Sequence, residues 1–157
     1  MKKRLLSILL LTAICILSLS GCGFLFGEVA EEGDVSVVVE EADGSFSKFE
    51  VYLESVENKS EGAKGILEHL DGRNDRLYVE MTDGGYGAYV TAIGNLREDS
   101  SRGLYVIVYT SVKADSYEGA PTIEYDGVAL YQAGLGLSGM TVEAGTVILF
   151  RLEESPY

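Results

Sequence analysis

Val35-Ser36-Val37-Val38-Val39-Glu40, Phe46-Ser47-Lys48-Phe49-Glu50-Val51 and Ala63-Lys64-Gly65-Ile66-Leu67-Glu68-His69-Leu70 are the three stretches that decide the fold. In the first, Val35, Val37 and Val39 alternate with Ser36, Val38 and Glu40, the period of two expected of a strand with one buried face. Ala42-Asp43-Gly44-Ser45 supplies turn chemistry, and alternation resumes from Phe46 to Val56 through Phe49, Val51 and Leu53, which makes a hairpin. From Asn58 to Leu70 the period changes. Ala63, Leu67 and Leu70 fall at i, i+4 and i+7, Ile66 widens the stripe, Asn58 or Ser60 is placed to cap the start, and Gly72 to stop the helix. Gly65 is its weak point, at a cost of about 1 kcal/mol relative to alanine.

Working outward from this core, the rest of the chain reads as strands. Arg76 to Thr82, a turn at Asp83-Gly84-Gly85, and Gly87 to Ile93 form one pair; the polar loop Asn95 to Arg102 leads to an apolar run from Leu104 to Val112. Thr122 to Tyr125, a turn at Asp126-Gly127, Val128 to Gln132, a glycine-rich stretch and Thr146 to Leu152 complete the order. Two strands, one short helix and five or six further strands give an α+β fold with the helix packed on a mixed or antiparallel sheet. A single early helix cannot supply the repeated crossovers of a doubly wound fold.

The 157 residues hold 12 Lys plus Arg against 25 Asp plus Glu, a net charge of −13, with 46% apolar residues and 10% aromatics. That is enough apolar material for one domain, and the acidity argues against nucleic acid as a partner, because phosphate recognition needs a concentrated basic surface.

The first residues read as an export signal. Lys2, Lys3 and Arg4 precede an apolar run from Leu5 to Leu19, about fifteen residues where a membrane-spanning helix needs roughly 20. Leu19-Ser20-Gly21-Cys22 is similar to the bacterial lipobox, and that resemblance implies a diacylglyceryl thioether on Cys22 with cleavage just before it. The expected organisation is a signal peptide at 1–21, a lipidated tether at 22–33 and a domain at 34–157, held at the cell membrane on its extracytoplasmic side. Cleavage takes three basic residues and no acidic one, so 9 basic residues face 25 acidic ones, a net charge of −16. Such a body is repelled by anionic lipid, and more than one acyl chain makes the anchor stable. Cys15 goes with the leader and Cys22 is consumed, which leaves the domain without a disulfide.

The element order from the helix onward resembles the transcobalamin-like C-terminal domain family of bacterial surface proteins, over roughly residues 48 to 153. The residues that carry it are Gly65-Ile66-Leu67-Glu68-His69-Leu70, Tyr86-Gly87-Ala88-Tyr89-Val90-Thr91-Ala92-Ile93-Gly94-Asn95-Leu96, Gly103-Leu104-Tyr105-Val106-Ile107-Val108-Tyr109, Gly134-Leu135-Gly136 and Met140 to Phe150. The resemblance implies a β-grasp-like fold, a non-catalytic binding role, and cobalamin or a related corrinoid as candidate ligand, with no cofactor. It places ligand contacts at Tyr86, Tyr89, Leu104, Tyr105, Tyr109, Leu135 and Gly136. Three departures stand out: Leu104 replaces the family's tryptophan, Thr110-Ser111 replaces its Asn-Gly, and Val112 to Ala133 is inserted.

The residues taken singly agree with binding. Tyr105, Ile107 and Tyr109 share one face of their strand; left uncovered, that face is an aromatic platform for a flat ligand or a protein. Gly134-Leu135-Gly136-Leu137-Ser138-Gly139 has the G-x-G-x-x-G spacing, but a strand follows where a dinucleotide site needs a helix. His69 is the only histidine, which leaves no catalytic triad and no two-histidine metal site within the chain. Asp71-Gly72-Arg73-Asn74-Asp75 gathers oxygen ligands, yet Arg76 and Thr82 stand where a calcium loop needs Gly and Glu. Acid–base catalysis would fall to carboxylates such as Glu80 and Asp83, so no enzymatic activity is expected. The reading is an extracytoplasmic module for a small ligand. The alternative is an accessory domain of a surface complex, pairing with an envelope protein through an edge strand or the 112–133 insertion.

Overall fold

The structure is a computed structural model that describes residues 33–73 and 77–154. The leader, Cys22, nearly all of the tether, and Asn74 and Asp75 of the acidic turn lie outside those residues. All described residues belong to one compact unit, Glu31–Tyr157.

The first hairpin is β1 (Val35–Glu40) and β2 (Phe46–Val51). The strand expected to continue to Val56 ends five residues earlier, because the Asp34 carboxylate accepts a hydrogen bond from Leu53 N at 2.7 Å and the chain turns into a 3-10 segment, Leu53–Ser55. Helix α1 (Gly62–Arg73) follows another 3-10 turn, Lys59–Glu61. It starts later and ends later than expected: Asn58 makes no side-chain cap, and Gly72 lies within the last turn instead of stopping it. Gly65 is explained by closeness. A Cβ there would stand 2.1 Å from the carbonyl oxygen of Asn58, so the turn that leads into the helix folds against a bare backbone.

Beyond the helix come β3 (Val79–Gly84), β4 (Gly87–Ile93), the two-residue β5 (Leu96–Arg97), β6 (Leu104–Thr110), β7 (Thr122–Tyr125), β8 (Val128–Gln132) and β9 (Val147–Glu154). They form a mixed six-stranded sheet in the order β2-β1-β9-β6-β8-β7 and a separate sheet β3-β4-β5. The first and last strands pair in parallel, Val37 opposite Ile148 and Val39 opposite Phe150; the other pairings are antiparallel. Asp126 and Gly127 both have positive φ (49° and 76°), as the tight β7–β8 hairpin requires.

Burial on both faces explains the central strands. On one face Val35, Val37, Val39, Ile148 and Phe150 pack with Ile66, Leu67 and Leu70 of α1; on the other, Val38 and Leu149 pack with Tyr109 and Leu130. Val38, read as part of a solvated face, is therefore buried, and Val37-Val38-Val39 and Ile148-Leu149-Phe150 are the continuous apolar runs of a doubly covered strand pair.

Candidate functional site

The glycine-rich loop is held from three directions. Leu137 and Met140 are buried in the main core and pin it from below, with a single 3-10 turn, Leu137–Gly139, between them. From the helix side, Gly62 at φ +58° brings the start of α1 so near that a Cβ there would lie 2.3 Å from the Met140 carbonyl oxygen. From the hairpin side, a Cβ on Gly136 would lie 2.3 Å from the Tyr86 carbonyl oxygen and 2.9 Å from Gly87 Cα. The glycine at 136 thus serves a backbone-to-backbone contact and no phosphate; the helix a dinucleotide site needs is absent at this turn.

The inserted segment adds a fourth hold. The buried Asp115 carboxylate accepts hydrogen bonds from Thr141 N (2.7 Å) and Thr141 Oγ1 (3.0 Å), and its backbone carbonyl accepts one from Gly134 N (2.8 Å). Both ends of the loop are fastened to one residue. Tyr117 rests on Gly134, whose Cβ would lie 3.2 Å from the Tyr117 ring, and the Tyr117 hydroxyl donates to Gln132 Oε1 at 2.9 Å.

These contacts gather exposed apolar side chains at one end of the domain. Tyr86, at the tip of the β3–β4 hairpin, is 96% exposed; Tyr89, whose ring edge lies over Gly84, is 46% exposed; Leu135 is 47% exposed and Tyr117 48%. Of the residues singled out in the sequence, Tyr86, Tyr89, Leu135 and Gly136 come together. Tyr117 joins them and was not anticipated, since it lies in the insertion, where the family resemblance offers no counterpart.

The other three do not join them. Leu104 and Tyr105 stand half-buried at the far end of β6, opposite Glu154 and Glu153. Tyr109 is 2% exposed, inside the second core with Val38, Leu130 and Leu149. The expected platform of Tyr105, Ile107 and Tyr109 is covered at Ile107 and Tyr109, where the inserted β7–β8 hairpin packs Ile123, Tyr125 and Leu130 against them. Burial and the hydrogen bond its hydroxyl donates to Glu153 Oε1 (2.9 Å) push the Tyr109 phenol up to about 12.

Several charged groups elsewhere pair with one another. Arg97 Nη1 pairs with Glu80 Oε2 at 2.9 Å and its guanidinium lies 5.7 Å from the Tyr78 ring centre. The Tyr78 hydroxyl also donates to Glu80, and this bond, with Arg97 behind it, holds the Glu80 carboxyl below its usual range. A shallow groove of about 470 Å³ is lined by Glu41, Ala42, Asp43, Ser45, Ser47 and Asn95, with Ser47 and Asn95 both donating to Glu41. Among the described residues no group of three His, Cys, Asp or Glu is placed to hold a metal ion.

No family model matches the chain, and no curated protein matches it. Among solved structures it is similar to a candidate metal-binding protein from Ruminococcus gnavus, with 17% identity and a TM-score of 0.55, over 79% of this chain and 99% of that one. At that identity the likeness is one of fold. It is also similar to haptocorrin in complex with Cbi, with 14% identity and a TM-score of 0.48, over 76% of this chain and 25% of that one.

Proposed function

We propose that the chain is a lipid-anchored, extracytoplasmic binding module, not an enzyme, that engages its target through the end bearing Tyr86, Tyr89, Leu135 and Tyr117. The observation that carries this reading is the meeting of hairpin tip, glycine loop and insertion, each of which carries an exposed aromatic or leucine side chain. Tyrosine suits such a task, because it offers a large, stiff contact area with a polar tip. The anchor rests on Leu19-Ser20-Gly21-Cys22. The ligand class, a corrinoid, rests on the resemblance to the transcobalamin-like C-terminal domain, as does the β-grasp-like topology. That topology accords with a hairpin, a crossing helix and parallel pairing of the first and last strands.

The test is thermal unfolding of the full chain in detergent, with and without cobalamin and a panel of corrinoids. A ligand at 100 times its dissociation constant adds about 2.7 kcal/mol, a rise of several degrees for a domain of this size. Tyr86→Ala and Leu135→Ala should each abolish the rise. The reading as an accessory domain of an envelope complex is favoured by one observation: the surface is open, with Tyr86 almost wholly in solvent, where a small ligand is usually enclosed. In that case no corrinoid shifts the transition, and the same two variants weaken a protein contact.

A further inference from the structure

We propose that the occupant of the aromatic end is a cationic segment of a partner protein, one that presents arginine or lysine to the faces of Tyr86, Tyr89 and Tyr117. This rests on the reading of that end as the binding surface, taken in its second form as a contact with an envelope protein in place of a corrinoid, and specifies that partner's chemistry. The face of a tyrosine ring carries negative charge density and attracts a cation placed over it. The domain already uses this attraction internally: Arg97 lies over Tyr78 at 5.7 Å and Lys113 over Tyr131 at 5.6 Å. Among the described residues no cation lies over Tyr86, Tyr89 or Tyr117, although all three are well exposed. Nearly all of Tyr86 and about half of Tyr89 and Tyr117 remain available to a cation from outside.

The surrounding field has the same sign preference. The chain carries 25 acidic against 12 basic residues, and two exposed carboxylates lie close to the patch along the chain, Asp83, which also acts on Lys64, on the hairpin that ends in Tyr86, and Glu118 next to Tyr117. An anionic partner is repelled by the net charge and by the ring faces alike, whereas a basic segment is steered in by the one and held by the other. The surface is also pre-arranged. The Tyr117 hydroxyl is fixed on Gln132, Gly134 is fastened to Asp115, and the hairpin tip is seated on Gly136, so little ordering remains to be done on binding.

The experiment is isothermal titration of the full chain in detergent with octa-arginine, with octa-glutamate as control, at 0.15 M salt. Octa-arginine should bind and octa-glutamate should not. The double variant Tyr86→Ala, Tyr117→Ala should lower the affinity about tenfold, since it removes two exposed cation–π contacts. The corresponding Phe variants should keep it, because the ring face survives loss of the hydroxyl, and Tyr52→Ala, exposed outside the patch, should change nothing. Octa-arginine binding that the double Ala variant leaves intact, equal binding of octa-glutamate, or no binding of octa-arginine overturns the proposal. Cobalamin titrated against the same variants separates the two readings. If cobalamin binds and Tyr86→Ala removes it while octa-arginine fails, the aromatic end stands and the cationic class falls; if neither ligand responds to the variants, both fall.

Discussion

Gly136 and Tyr109 show how single positions constrain the rest. A methyl group at 136 has backbone on its far side, not a flexible side chain, so Gly136→Ala must push the loop off the hairpin tip. Overpacking of this kind costs about 1–3 kcal/mol, and urea unfolding should show it, together with weakened binding through the displaced Leu135. Tyr109 makes a pH prediction. Its phenol is raised in the folded state from an ordinary value near 10 to about 12, so the fold favours the protonated form. Its contribution to stability is therefore complete below about pH 10 and is lost as pH rises toward about 12. Tyr109→Phe should flatten the stability profile in that window and nowhere else, measured as the urea midpoint against pH.

At the scale of elements, the inserted β7–β8 hairpin is the least secured part of the large sheet. β8 pairs with β6 only at Tyr109–Gln132 and Thr110–Tyr131, and at the far rim Tyr125 meets Phe46 of β2 edge to face at 5.0 Å. Amide exchange should therefore find β7–β8 opening at lower free energy than β1 or β9. Tyr125→Ala should lower it further by about 0.5–1.5 kcal/mol, the worth of an aromatic pair, without reaching the β1–β9 centre. Strand periodicity made both hairpins and the helix legible in the sequence, and Asp126-Gly127 located its turn, because those signals are local. Pairing partners are not local. Nothing in Val37-Val38-Val39 announces that Val38 has a second core above it, and nothing in Tyr105-Val106-Ile107-Val108-Tyr109 announces that the insertion beginning at Val112 covers Ile107 and Tyr109. For the site, the glycine loop and hairpin tip could be read from a family pattern, whereas Tyr117 could not, since it lies where that pattern has no residue.

At the scale of the whole molecule, the proposed anchor and the charge would act together. Lipidation is expected at Cys22 alone, so metabolic labelling with a radioactive fatty acid should mark the chain and Cys22→Ala should leave it unlabelled. An acidic body on such an anchor would stand away from anionic lipid, leaving the proposed binding end to a partner. The parallel pairing of β1 with β9 has a consequence for synthesis. A ribosome delivers β1 first and β9 last, so Val37, Val38 and Val39, already paired with β2 on one side, wait for their partner on the other side until Phe150 has emerged. Until then the strand that joins β1 to β6 is missing, and a message cut short before Val147 yields a chain whose large sheet stays in two pieces, not a shortened domain.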